Sequence, residues 1–67
     1  MQITVVDEYL ETIFEGDADD FLFENDNDDE LEIILNNLEK MKDYSTILAH
    51  NLDGEEITIT KQPLIIR

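Results

Sequence analysis

Between Glu11 and Glu32 the chain places Glu11, Glu15, Asp17, Asp19, Asp20, Glu24, Asp26, Asp28, Asp29 and Glu32, and no Lys or Arg. Clustered carboxylates can hold a divalent cation, pass a proton, or present fixed negative charge to a basic surface. Spacing separates these chemistries. An EF-hand calcium loop needs Gly at position 6 and Glu at position 12. A loop starting at Asp26 puts Leu31 and Asn37 there, and one starting at Glu24 puts Asp29 and Leu35 there. Neither fits, so no dedicated metal site and no cofactor is expected.

Proton transfer finds little support. A carboxyl group tuned for acid or base work needs a concave pocket, for which 67 residues leave little room. The single His, His50, has only Ser45 as a nearby hydroxyl, and residues an odd number apart on one strand face opposite sides. His50 therefore reads as a surface residue at a strand end. There is no Cys, which excludes thiolate chemistry and a His/Cys zinc site. Gly16 and Gly54 read as turn glycines, not as a phosphate cradle. No catalytic residue is assigned, and the chain is not expected to be an enzyme.

Fixed charge remains. Of the 18 Asp and Glu, four (Asp43, Asp53, Glu55 and Glu56) lie beyond Glu39, which leaves 14 in the first 39 residues. All four basic residues, Lys40, Lys42, Lys61 and Arg67, also lie beyond Glu39, so the whole net charge of −14 belongs to the N-terminal part. Solubility asks for a magnitude of only about 2–8 in a small domain. The excess costs stability through self-repulsion. Such a field repels nucleic acid and anionic membrane and attracts a basic surface.

Duplex DNA carries one charge per roughly 1.7 Å of axis. Helix neighbours three or four residues apart lie about 5–6 Å from each other, and strand neighbours two apart about 6.6–6.8 Å. Asp28, Asp29 and Glu32 offer the helical spacing. Glu11 and Glu15 flank an outward Ile13 on a strand. Asp17, Asp19, Asp20 and Glu24 decorate a short helix, and Asp26 lies in the turn after it. Tyr9 and Phe23 would add stacking or apolar contact beside this edge.

The elements that position these groups follow from pattern. Ile3–Val6 reads as a strand, Asp7–Leu10 as a turn, and Glu11–Glu15 as a second strand stopped by Gly16. A helix over 7–14 also fits the spacing of Tyr9, Leu10, Ile13 and Phe14, but Thr12 and Ile13 favour the hairpin. Asp17 caps a short helix over 18–24, with Phe21 and Leu22 inward. Asn25–Asn27 breaks it. Asn27 then caps a longer helix, with Glu30 completing a capping box. Its apolar stripe is Leu31, Ile34, Leu35, Leu38 and Met41. Asp28, Asp29 and Glu30 on its first turn, and Lys40 and Lys42 on its last, suit the macrodipole.

Beyond Asp43 the period changes to two. Ser45–Asn51 reads as a strand with Ile47 and Ala49 on one face, Asp53-Gly54 as a hairpin turn, and Glu56–Lys61 as a strand with Ile57 and Ile59 inward. Pro63 belongs at an edge or a strand start. Leu64–Ile66 either closes the sheet or pairs with another chain. The expectation is one α+β domain over 1–67. It has a small antiparallel sheet, one short and one long helix in the order ββααββ, and an optional further strand.

The stretch Thr12–Leu22, leading through Asn25 into the Asp28–Leu38 helix, resembles small phage and prophage proteins, in which a strand ending in Glu-Gly leads into a short capped helix containing Phe-Leu. By charge alone the chain is similar to phage-encoded nucleic-acid mimics. That resemblance implies an inhibitor that blocks the basic DNA- or RNA-binding surface of a bacterial host defence or DNA-handling protein. It carries over no individual residue. A second class, an acidic interaction module such as an antitoxin or an adaptor for a basic partner, explains the same charge. Neither reading involves direct nucleic-acid binding or a membrane. Met1-Gln2-Ile3-Thr4 has no basic n-region, and no apolar run approaches a membrane span, so a cytoplasmic location is expected, in the bacterial host if phage-encoded. A 67-residue fold buries little surface alone, so a homodimer is one route to extra burial.

Overall fold

The computed structural model describes residues 1–63. Its elements run β1 (Gln2–Asp7), β2 (Thr12–Asp17), α1 (Ala18–Glu24), α2 (Asp29–Glu39), β3 (Thr46–His50) and β4 (Glu56–Gln62). The fold is α+β. The two hairpins join through β1 and β4, giving a four-stranded sheet ordered β2-β1-β4-β3 in which every pair is antiparallel. The strands nearest the chain ends are thus the central ones. The segment Leu64–Ile66, read from sequence as a final strand, lies outside the described residues.

Period-two alternation sends Ile3 and Val5 of β1, Ile57 and Ile59 of β4, and Ala49 of β3 to one sheet face. Ala18 and Phe21 of α1 and Leu31, Leu35 and Leu38 of α2 meet them in a single core. Phe14 of β2 closes one margin against Phe21, with ring centroids 5.1 Å apart and planes tilted by 50°. The other sheet face, with Thr4, Val6, Thr46, Leu48, Thr58 and Thr60, has no layer over it among the described residues. One covered and one solvated face is the usual arrangement of a small antiparallel sheet.

Three expectations need correction. Gly16 does not stop the second strand. It lies inside β2 opposite Ile3, with the Phe14 ring beside it, so that a Cβ there would meet Phe14 Cζ at 3.4 Å, an ordinary contact distance. The cap of α2 is Asp28, not Asn27, so Glu30 is one residue out of place for a capping box. The reason is that Asp26 and Asn27 are left-handed (φ 56 and 52) and end α1, with the Asn27 N–H donating to the Leu22 carbonyl at 2.9 Å. Asn27 is thereby committed to the preceding helix. Finally, α2 stops at Glu39, so Lys40 is its C-cap, while Met41 and Lys42 lie beyond it. The Asp53-Gly54 turn forms as a wider loop, described below.

Candidate acidic interaction surface

The expected carboxylates fall on three consecutive elements. Glu15 points from the outer face of β2 opposite Thr4. Asp17 ends β2 and caps α1, accepting the Asp19 N–H at 2.8 Å. Asp19 and Asp20 occupy the first turn of α1 and Glu24 its end. Asp26 lies in the left-handed link. Asp28 caps α2 by accepting the Leu31 N–H at 3.0 Å, with Asp29 and Glu32 on the turn that follows. All are exposed except Asp17, which is half-buried. Asp19 and Glu32 are brought together: both line the groove between α1 and α2, with Asn36 and Glu39. Asp28 borders the tip of the second hairpin, where it lines a small groove with Glu30, His50 and Leu52.

Glu11 stands apart. It precedes β2 in the hairpin loop, its N–H held by Asp7 Oδ1 at 2.9 Å. A bulge at Ile13, where Val5 pairs with Phe14 but Val6 with Thr12, breaks the regular Glu11–Ile13–Glu15 spacing read from sequence.

These charges have little compensation. Among the described residues the one ion pair joins the Met1 amino group to Asp17 Oδ2 at 3.7 Å. Lys61 is engaged elsewhere. From β4 its Nζ donates to the carbonyls of Glu39 (2.7 Å) and Met41 (2.8 Å), at the C-terminal end of α2. Among the described residues, no group of three or more His, Cys, Asp or Glu is placed to hold a metal ion, and no helix is long and apolar enough to cross a membrane.

Large apolar side chains sit among the carboxylates. Phe23 on α1 is 74% exposed, one turn on from Asp19 and Asp20. Ile33 on α2 is 62% exposed, one turn on from Asp29 and Glu30. Sequence reasoning did not single out Ile33, although its position off the Leu31–Leu38 stripe was a signal.

The turn expected at Asp7–Leu10 forms, in a conformation that strand alternation does not reveal. Asp7–Glu11 and Asn51–Glu55 are the same turn built twice. In each, the first N–H donates to the fifth carbonyl (2.9 and 3.0 Å) and the fourth N–H to the first carbonyl (3.0 Å in both). The first side-chain oxygen accepts the third and fifth N–H groups at 2.9–3.0 Å. The fourth residue is left-handed: Gly54 in one (φ 80), Leu10 in the other (φ 64). Glycine adopts that conformation freely, and leucine does so at a cost. Leu10 recovers nothing from packing, being 83% exposed beside Tyr9 at 80%. The shared Asx-x-x-x-Glu spacing of Asp7–Glu11 and Asn51–Glu55 was the available signal.

Compared with known proteins, the chain matches no family model, no curated sequence and no solved structure.

Proposed function

We propose that this protein is a non-catalytic acidic inhibitor that occupies the nucleic-acid-binding surface of a basic protein. The observation that supports this reading is a run of carboxylates on three consecutive elements, β2, α1 and the start of α2, with no Lys or Arg side chain ion-paired to any of them among the described residues. A fold that retains so much like charge at a cost to its own stability gains it back when a basic surface neutralises it. Nucleic-acid-binding proteins present such surfaces, built to replace the counterions of a phosphate backbone. Phe23 and Ile33 supply apolar contact among the carboxylates, where a nucleic acid would offer bases. The resemblance of the Thr12–Leu22 stretch to phage proteins supports a bacterial host cell as the setting, and the separate resemblance by charge to nucleic-acid mimics supports a host defence or DNA-handling protein as the target.

One observation favours a second reading, an adaptor or antitoxin for a basic partner. The Tyr9–Leu10 tip has no counterpart in a phosphate backbone and suits an apolar pocket. One experiment separates the two. The immobilised protein captures partners from bacterial lysate at low salt, with and without excess duplex DNA or RNA, and the captured protein is re-tested pure. A mimic loses its partner to the nucleic acid and to added salt. An adaptor keeps its partner in the presence of nucleic acid. A pure partner that binds no nucleic acid, or whose affinity is indifferent to salt, overturns the mimic.

A further inference from the structure

The twin turns allow a comparison within one molecule. At the third and fourth positions the second turn has Asp53 and Gly54, and the first has Tyr9 and Leu10. The backbone bonds are the same, so the turn itself requires neither apolar side chain. Left-handed backbone is natural for Gly54, and Asp26 and Asn27 are of types that accept it more readily than most. Tyr44 is left-handed too, but its N–H is held by the Lys61 carbonyl at 2.7 Å, and it lines a groove with Thr4 and Pro63. Leu10 adopts the same conformation while 83% exposed. Glycine would serve folding better there, as the second turn shows.

The tip is held by its own hydrogen bonds. Asp7 Oδ1 accepts the N–H groups of Tyr9 and Glu11, and the Asp7 N–H donates to the Glu11 carbonyl. Side chains presented by a fixed backbone lose less freedom on entering a socket than those on a loose loop. The surroundings say what the socket is. Exposed Glu8 and Glu11 flank the Tyr9–Leu10 pair. Asp7 lies opposite Ile57 at one end of the sheet, and Lys61 lies opposite Ile3 at the other. Lys61 holds the carbonyls of Glu39 and Met41, so the adjoining Lys40 and Lys42 belong to that far end as well. The tip is thus an apolar pair among carboxylates, with no Lys or Arg at its end of the sheet among the described residues. Like charge turns away an anionic bilayer and a nucleic acid, and a basic protein surface is attracted.

We infer that Tyr9 and Leu10 are the apolar anchor of partner binding, and that they enter an apolar pocket rimmed by Lys or Arg on a basic protein. The inference rests on the reading that this chain binds such a protein, and it adds what holds the complex together. Carboxylates set the speed of encounter and its salt dependence, whereas a desolvated aromatic and aliphatic pair sets how long the complex lasts. The strain at Leu10 then has a function: glycine at that position would fold better and hold the partner worse.

The test compares full-length wild type, Leu10→Gly, Leu10→Asn and Tyr9→Ser. Leu48→Thr is the control, since Leu48 is 64% exposed but lies on the edge strand β3. Each is immobilised and offered nuclease-treated bacterial lysate at roughly 0.15 M NaCl. Glycine and asparagine accept the left-handed backbone, so both Leu10 variants are expected to melt several degrees above wild type. They and Tyr9→Ser are nevertheless expected to retain at least about tenfold less of the protein that wild type captures. That protein, once purified, is expected to leave them at least about tenfold faster by surface plasmon resonance, with the salt dependence of association unchanged. Leu48→Thr is expected to match wild type. A Leu10 that served only the fold would not give a variant that is more stable yet binds worse.

Equal retention by wild type and Leu10→Gly overturns the inference, as does a loss shared by Leu48→Thr or a wild type that retains nothing. A wild-type mass that rises with concentration in sedimentation, and no longer does so in Leu10→Gly, makes the occupant a second copy and overturns it too. The anchor and the mimic fail separately. A purified partner that needs Leu10 but binds no nucleic acid removes the mimic and leaves the anchor. A partner displaced by DNA but indifferent to Leu10 does the reverse.

Discussion

Asp17 and Asp28 differ from the other carboxylates of the acidic surface in that each already holds a helix N–H. Their role is divided between fold and surface, whereas Asp19, Asp20, Asp29 and Glu32 have no such task. Asp28→Ala should cost about 1 kcal/mol of stability, the usual value for a lost N-cap, and lower the urea midpoint without changing the slope. The twin turns provide a second contrast at this scale. Leu10→Gly gives the first turn the residue that the second already has, so it should raise stability by about 1 kcal/mol. Gly54→Leu should lower it by a similar amount. A thermal melt of each reads both signs. A Leu10→Gly variant that gains stability but loses partner capture would identify the strained tip as a contact retained for function.

Lys61 reaches from β4 to the end of α2, which has no basic residue in its own last turn. Lys61→Met should therefore cost about 1 kcal/mol, read from urea unfolding, with Lys61→Arg restoring part of it. The binding elements can be ranked in the same way. Asp19→Lys with Asp20→Lys on α1 should slow association with a basic partner severalfold, while Glu55→Lys with Glu56→Lys on the second hairpin leaves it near wild type, by surface plasmon resonance. The reverse ranking would move the binding surface to the hairpin. Element identity was legible because periods of two and 3.6 separate cleanly in Glu56–Lys61 and Leu31–Leu38. The details that failed were those decided by a neighbour. Asn27 looked like a cap until α1 claimed its backbone, and Lys40 and Lys42 looked like the cations of α2 until Lys61 took that place from 22 residues away. The carboxylates of the site were legible as charge. Their gathering was not, because the meeting of Asp19 with Glu32 depends on how α1 turns into α2.

At the scale of the molecule, the exposed acids act on one another. Screening their repulsion should raise the melting temperature by several degrees between low and moderate salt, as a scanning calorimeter would record, because one kcal/mol is worth about 4–8 °C in a domain of this size. A melting temperature indifferent to salt would mean that the carboxylates sit too far apart to strain the fold. The sheet order adds something that no local pattern contains. Alternation in Ile3–Val6 and in Glu56–Lys61 marks two strands, but nothing in either stretch says that they are neighbours, with Val5 opposite Ile59.

That adjacency of β1 and β4 makes the protein divisible. A break in the left-handed link at Asp26–Asn27 would release one piece holding β1, β2 and α1 and another holding α2, β3 and β4. Each piece keeps a hairpin and one helix, and each leaves a central strand bare on the side where the other belongs. Neither can enclose the core alone, since Val5 and Ile59 are contributed from opposite pieces. The two fragments are therefore expected to be unfolded apart and to fold when mixed, which circular dichroism of each piece and of the mixture would read.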